Sequence, residues 1–587
     1  MKSLPLDWRL AQRLFISFVI LSGFVARGES ADQAALNGSP KTRPQIADEQ
    51  VTIVERGFHH QVVNYSRKVA DTNGVWRQVS SKYMQLETGL NRQDASGKWV
   101  PVSGEMEITD GGAQFIGAEH TLQFRPSPEV ADAMVLTLAD GRRMVSHVAG
   151  LAYFDRSTGD SVLLSEIKSV NGELRSGQEL VYPNCFSDGI EADLVFQVSR
   201  STLSQDVVLR TSLPAPSEYG LNDATTAMEL LTEWAEYSEP LSADNSVGAG
   251  GAGDSTSSTD VERTILDFGL FKIGQGKAFD QSSGEASGLD VKKYWKKYDG
   301  NRQFLIESLD YSQAQPWLQK LPKPQVHAGL SPKRKVRHEA LARPVPVRPK
   351  SFQEATLSRR VRSGIMALND SRKGASDQKG FVWDYVSTLG SSITDLTCRA
   401  DWTYYISGPV TLSGNLTLEG GTVLKYAPSS SNPKLSLYSG SSTVVNCQAG
   451  MYRPIICTAI DDDTIGDQVP GSSFTPSGFY ANPAISFNAV SANVAPTFSN
   501  FQVRYAKIGL ELINNSVYGV AQTVRNSQFV NCEKGIRVSA CTANVYNALF
   551  TSGYPWLANA AFDMLYNSVA NGQHPHGQQR QLRDQRG

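Results

Sequence analysis

Asn500-Phe501-Gln502-Val503-Arg504-Tyr505-Ala506-Lys507-Ile508-Gly509-Leu510-Glu511-Leu512 lies without a gap over Asn526-Ser527-Gln528-Phe529-Val530-Asn531-Cys532-Glu533-Lys534-Gly535-Ile536-Arg537-Val538, an offset of 26 residues. A partial third copy follows at Asn547-Ala548-Leu549-Phe550. In both full copies an Asn precedes a short apolar strand. A small residue follows (Ala506, Cys532), then a Gly, then an apolar-polar-apolar triplet. Repetition at this period marks a solenoid, whose thin coils bury their apolar positions against their neighbours. The copies are short and β-rich, so each coil is expected to be a rung of strands rather than a helical repeat.

Residues nearer the N-terminus extend the pattern. Trp402-Thr403-Tyr404-Tyr405-Ile406, Val410-Thr411-Leu412, Leu416-Thr417-Leu418-Glu419, Thr422 to Tyr426, Leu435 to Tyr438, Thr443 to Cys447 and Ile455 to Ala459 are short apolar strands with Gly or Asn between them. Gly and Asn tolerate the left-handed backbone that tight corners need. Asn500, Asn526 and Asn547 fall at equivalent corners, where stacked amides can bond to one another.

These repeats resemble the right-handed parallel β-helix, the pectin-lyase-like superfold. The resemblance implies a β-helix over 381–566, and a superfold of this breadth hosts unrelated activities.

Upstream, 51–311 reads as an antiparallel β-sandwich-like domain. Its apolar runs are separated by Asp94-Ala95-Ser96-Gly97, Asp110-Gly111-Gly112, Asp140-Gly141, Asn171-Gly172 and Asp188-Gly189, which are hairpin signals. Tyr294 to Tyr298, Asp299-Gly300 and Asn301 to Ile306 predict a hairpin, while 225–237 is open between helix and strand. A Gly/Ser/Thr-rich stretch at 241–260 predicts a flexible insertion. In texture this region resembles the N-terminal β domains of large secreted bacterial proteins that carry β-helix or Rhs/YD-type repeats.

Residues 312–380 carry about +11 among many prolines, against −2 for all 587 residues. Such a stretch reads as an extended linker. It is either a solvated spacer or a basic strap for acidic polysaccharide, lipid headgroups or acidic parts of the chain. Nucleic acid is not expected as a partner, because no aromatics interleave with the charges. At the N-terminus, Lys2, Arg9 and Arg13 precede an apolar run from Leu14 to Val25 and small residues from Ala26 to Ala31. This is the order of a secretory signal over 1–30, cleaved after Gly28 or Ser30, with an uncleaved signal anchor as the alternative. No transmembrane span is expected once it is removed. Residues 31–50 are expected to be disordered. So is the Gln/Arg-rich tail 567–587, which reads as a truncated or frame-shifted end.

The six cysteines (Cys185, Cys398, Cys447, Cys457, Cys532 and Cys541) do not make a disulfide framework, although Cys447–Cys457 and Cys532–Cys541 are candidate bridges. The candidate ligand site is the acidic loop Asp461, Asp462, Asp463 and Asp467, with Arg504, Lys507 and Arg525 as groove cations on later rungs. β-Helix polysaccharide lyases pair such carboxylates with Ca²⁺ and a cationic base, so Ca²⁺ is the candidate cofactor. A solvated acidic turn is the plainer reading. His59-His60 is a candidate metal pair, though adjacent side chains usually point apart. No histidine falls between 339 and 573, so no acyl-transfer triad can be drawn inside the repeats. Aromatics such as Tyr404, Tyr405, Tyr426, Tyr438, Phe479, Tyr480 and Tyr505 read as packing or as a sugar-stacking groove.

The first expectation is therefore a secreted or cell-surface structural or binding protein, without catalytic residues, that recognises polysaccharide or another cell-envelope component. The second is a β-helix lyase or glycoside hydrolase. The third is the N-terminal part of a larger Rhs-like toxin or adhesin. Two acidic-loop carboxylates within about 4 Å of Arg504 or Arg525 in an open groove would favour the enzyme.

Overall fold

The computed structural model describes residues 46–571 apart from 71–73, 242–264, 275, 281–287, 299–301, 324–335, 338–357, 360–379, 440–443, 490–496, 515–521, 540–542, 552–553, 559–561 and 566–568. Residues 1–45, the expected 241–260 insertion beyond Leu241, most of the expected linker and residues 572–587 lie outside the described residues, whereas Val569–Asn571, within the tail expected to be disordered, is a strand paired with Leu549–Thr551. The described chain is mainly β, with antiparallel sheets first and parallel sheets in the C-terminal part.

Hairpin chemistry builds the antiparallel part. Gly141 at φ 84° turns Met134–Leu138 into Arg143–Asp155, and Asp188 and Gly189 also take positive φ. Arg143–Asp155 pairs with Thr226–Glu236, which settles 225–237 as a strand, and that strand pairs with Arg302–Asp310. Leu289–Tyr298 closes the expected hairpin onto Arg302–Asp310, its turn residues lying outside the described ones. A second antiparallel set runs Glu179–Tyr182, Ala192–Val198, Thr202–Leu209, Phe381–Leu389. Alternate side chains from both sets, among them Leu203, Val207, Leu230, Leu305 and Trp383, meet in one apolar core.

Two expected boundaries move. Phe381–Leu389 does not begin the parallel coil. Its alternate residues Phe381, Trp383, Tyr385 and Leu389 are buried in the antiparallel core, and at nine residues it is longer than any strand of the coil, the longest of which, Ile508–Asn514, has seven. The linker also starts later than 312, because Tyr311–Leu318 is a helix that sends Tyr311, Ala314 and Leu318 into the same core.

From Leu396 onward each coil contributes three strands, which pair in parallel register with strands of the neighbouring coils, the ladder on one side being interrupted between Val445–Gln448 and Thr497–Ser499. Tyr404, Leu424, Cys457, Val503, Phe529 and Phe550 form one inward column across successive coils. The rings of Phe529 and Phe550 stack with centroids 5.0 Å apart at 7°. A second column runs Val410, Leu435, Ile485, Leu510 and Ile536. The arrangement is β-helix-like, and the repeat alignment predicts its register. Corners fall at the expected residues, with Asn500, Asn526 and Asn547 at φ 58°, 48° and 49°. The Asn547 amide donates to Asn526 Oδ1 at 2.8 Å. Cys447, Cys457 and Cys532 are free thiols, which removes the Cys447–Cys457 bridge; Cys541 lies outside the described residues.

The N-terminal strands do not follow the 51–311 grouping. Ile46–Arg56, His60–Ala70 and Trp76–Leu86 form an antiparallel trio, so residues 46–50 are strand rather than disorder. Trp76–Leu86 then pairs in parallel with Thr403–Ile406, Tyr83 opposite Thr403 and Leu86 opposite Ile406. The trio therefore extends one coil sheet past its first rung and hydrogen-bonds an edge that would otherwise be open. Buried Glu87, just after it, accepts from Arg200 Nη1 at 2.8 Å and Ser407 Oγ at 2.8 Å, tying the antiparallel part to the first coil.

The inward column carries the coil's stability. Phe529→Ala should cost about 3–5 kcal/mol and lower the coil's thermal transition by several degrees in calorimetry, whereas the outward Gln528→Ala should leave it within a degree or so.

Candidate functional site

Strand alternation turns Thr403 and Tyr405, Lys425, Thr458 and Arg504 outward on one coil sheet. The segment 460–480 lies across that face. Asp467 N donates to Thr403 Oγ1 at 2.7 Å, Ser81 Oγ donates to Gln468 O at 3.0 Å, and Val469 joins the coil core. Arg67, 3% exposed, bonds Gln468 and lies 4.8 Å from the Phe474 ring centroid. The acidic loop is a strap over the sheet rather than a solvated turn.

Three of its four carboxylates are taken up by the strap's own surroundings, whereas Asp467 is placed through its backbone N–H and its carboxylate has no bond to a described residue. Asp461 accepts from Tyr480 Oη at 2.5 Å and from Ser473 N. Asp462, 3% exposed, accepts from Thr458 Oγ1 at 2.6 Å, Thr464 Oγ1 at 2.5 Å and Thr464 N at 3.2 Å. Asp463 accepts from Ser472 Oγ at 2.9 Å and faces Lys425 Nζ at 3.4 Å, the Lys425 side chain being wholly buried. Burial draws the Lys425 ammonium below its usual value and holds the Asp463 carboxyl above its own; their mutual attraction opposes both shifts without reversing either. Burial dominates for both groups, as expected where two charges leave water together.

The predicted cations divide. Arg504 Nη1 reaches Asp462 at 3.8 Å. Arg525 instead packs 4.4 Å from the Tyr546 ring centroid, and among the described residues no ion pair joins it or half-buried Lys507 to the loop. One carboxylate, itself buried, thus lies near one cation. Among the described residues no group of three or more His, Cys, Asp or Glu could hold a metal ion. His59 accepts from Gly89 N at 3.1 Å and burial lowers it to about 4, whereas His60 faces Glu55 at 3.6 Å. The aromatics do not form one groove: Tyr404 and Tyr426 are core, Tyr405 packs edge-on against Tyr83, Tyr480 holds Asp461, and Phe479 is 39% exposed. Tyr438 and Tyr505 are half-buried.

Two polar groupings escape a linear reading. On a second coil sheet Thr411, Ser436, Ser486, Glu511 and Arg537 stand in register on five consecutive coils. Glu511, 5% exposed, accepts from Ser486 Oγ at 2.6 Å and pairs with Arg537. The doublet of the repeat hints at the last contact, since Glu511 and Arg537 share one repeat position.

The other grouping sits inside the antiparallel core. Lys293 and Glu307 are 1% and 0% exposed, with buried Gln205, Thr232, Tyr385 and Ser387 on the core-facing sides of their strands. Lys293 Nζ donates to Gly274 O and lies 4.7 Å from the Tyr385 ring centroid. Neither Glu307 oxygen has a hydrogen-bond partner among the described residues. Burial pushes Glu307 up to about 7 and Lys293 down to about 8, each opposed by the other's charge. Values near neutrality suit proton transfer, yet a reacting proton must reach substrate, and neither side chain touches solvent.

No protein-family model, curated protein or solved structure matches the chain. Among the described residues no helix is long and apolar enough to cross a membrane. What the fold and these sites define is a class: a mainly β chain with an antiparallel first part and a parallel, coiled second part.

Because Glu307 titrates near 7 in the folded chain against 4.5 ordinarily, its protonated form adds stability that is complete below pH 4.5 and lost as pH rises through 7. Glu307→Gln should remove Glu307's share of the change in Tm between pH 4.5 and 7, so that the Tm of the variant relative to wild type rises across that range. Parallel Tm curves for the two proteins would contradict the assignment.

Proposed function

We propose that the chain is a secreted or cell-surface binding protein: a β-sandwich-like region joined by a basic, proline-rich linker to a short right-handed parallel β-helix of the pectin-lyase-like kind, recognising carbohydrate of a cell envelope or matrix. The leading support is the state of the acidic loop. Asp461, Asp462 and Asp463 are bound to Tyr480, Thr458, Thr464, Ser472 and Lys425 of the same chain, which leaves them little capacity for an incoming cation or sugar. Glycoside hydrolysis needs two facing carboxylates, and the polar row on the second coil sheet supplies a single one, Glu511. A rigid coil with a strapped flank suits recognition better than turnover.

One observation favours the polysaccharide-active reading, namely the approach of Arg504 to Asp462. A cationic side chain beside a carboxylate is what a lyase would place in its groove. The burial of Asp462 counts against it.

A glycan array probed with the protein lacking residues 1–30 separates the two. The binding reading expects retention on a subset of glycans with no release of reducing or unsaturated ends during incubation. Calcium-dependent cleavage of pectin-like polymers that disappears in Asp462→Ala would overturn it, and an array blank at every glycan would remove carbohydrate from the proposal.

A further inference from the structure

The antiparallel trio before the coil has two unlike faces. One carries Val63, Tyr65 and Tyr83 into the same apolar cluster as Val469 of the strap, and Arg67 under the strap itself. The other face is polar. Register sets Gln50 beside Ser66 and Ser66 beside Ser80, and in the next row Thr52 beside Asn64 and Asn64 beside Lys82. These six side chains, three hydroxyls, two amides and an ammonium, line a concave space of about 420 Å³. All are exposed except half-buried Ser66, and none of the six side chains forms a hydrogen bond or ion pair with another described residue. At one end Lys82 Nζ stands 5.6 Å from the Trp402 ring centroid. Beyond the lining, six residues from Lys82 along the same strand, Trp76 is 45% exposed. Alternation puts Trp76 on this face, roughly 20 Å from Lys82 at the usual rise per residue.

We propose that this face is a saccharide subsite that holds a short stretch of glycan bearing an acidic group. A sugar presents hydroxyls that need both donors and acceptors, together with an apolar ring face. The floor offers amides and hydroxyls that can do both, and farther along the same face the exposed Trp76 indole offers a surface for ring stacking. The volume falls within the range of small-molecule sites. Lys82 decides the charge class. Its ammonium faces the space with no carboxylate of the described residues paired to it, and a uronate or sulfate would supply that partner. The subsite rests on the carbohydrate reading above but lies away from the acidic strap.

The test is titration of the protein lacking residues 1–30, followed by intrinsic tryptophan fluorescence and calorimetry, with hyaluronan, alginate and heparan oligosaccharides and with neutral maltohexaose. At least one acidic oligomer should bind. Lys82→Glu and the double variant Asn64→Ala/Ser66→Ala should each weaken it at least tenfold with Tm unchanged, while Arg525→Ala should not. Trp76→Ala should remove part of the fluorescence change. Failure of all three acidic oligomers to bind, equal affinity in the variants, or equal affinity for maltohexaose would overturn the subsite. Glycan binding that survives every one of these variants would sink this site alone and leave the broader carbohydrate reading standing.

Discussion

Each turn of the coil is three strands of three to seven residues, and such a strand has no neighbour within its own turn to which it can hydrogen-bond. Its backbone groups and its inward side chain are satisfied only by the strands one turn before and one turn after it. In-register parallel pairing is the constraint from which the rest follows. It aligns Tyr404, Leu424, Cys457, Val503, Phe529 and Phe550 in one column. It also aligns whatever faces outward, which is why Ser486, Glu511 and Arg537 can meet although long stretches of sequence separate them. The corners must turn left-handed to keep that register, and Asn takes those positions at little cost.

The same constraint makes the first coil's edge a liability. The chain meets it with a segment from far upstream: Trp76–Leu86 lies parallel to Thr403–Ile406, and two more strands carry the sheet outward. Once these strands are committed to the coil, one of their faces is closed by the 460–480 strap and the other is left polar and open. The strap's carboxylates and Lys425 are best understood as the polar counterpart of the apolar column. They fasten a covering segment over a sheet whose outward residues would otherwise face water.

How much of this can be read in the chain depends on how local its partners are. The coil is legible because two copies of one motif sit next to each other, so alignment alone predicts Val503 against Phe529. The hairpin of Leu289–Tyr298 with Arg302–Asp310 is legible for the same reason. The strands of the N-terminal trio announce themselves, but alternation cannot say which sheet a strand joins, and their partner Thr403–Ile406 lies some 320 residues away. Phe381–Leu389 reads wrongly as the first rung because an apolar strand next to a coil looks like one until its antiparallel partner Thr202–Leu209 is known. The acidic loop is visible in the sequence and its surroundings are not. Three consecutive aspartates look solvated, and the donors that bury them come from Thr458, Ser472, Tyr480 and Lys425. Lys293 and Glu307 give no signal, since a charged residue on a half-buried strand is ordinarily taken to face water.

Register is the quantity on which everything depends, and a designed crosslink reads it directly. Gln502 and Gln528 face outward as an in-register pair on adjacent coils. Cysteines placed at both should close an intramolecular disulfide under mild oxidation, seen as a linked peptide by mass spectrometry, because paired parallel strands hold Cα atoms within disulfide reach. In-register pairing predicts that bond for Gln502→Cys/Gln528→Cys and none for Gln502→Cys/Asn526→Cys. Efficient linkage of the second pair, or of neither, would contradict it.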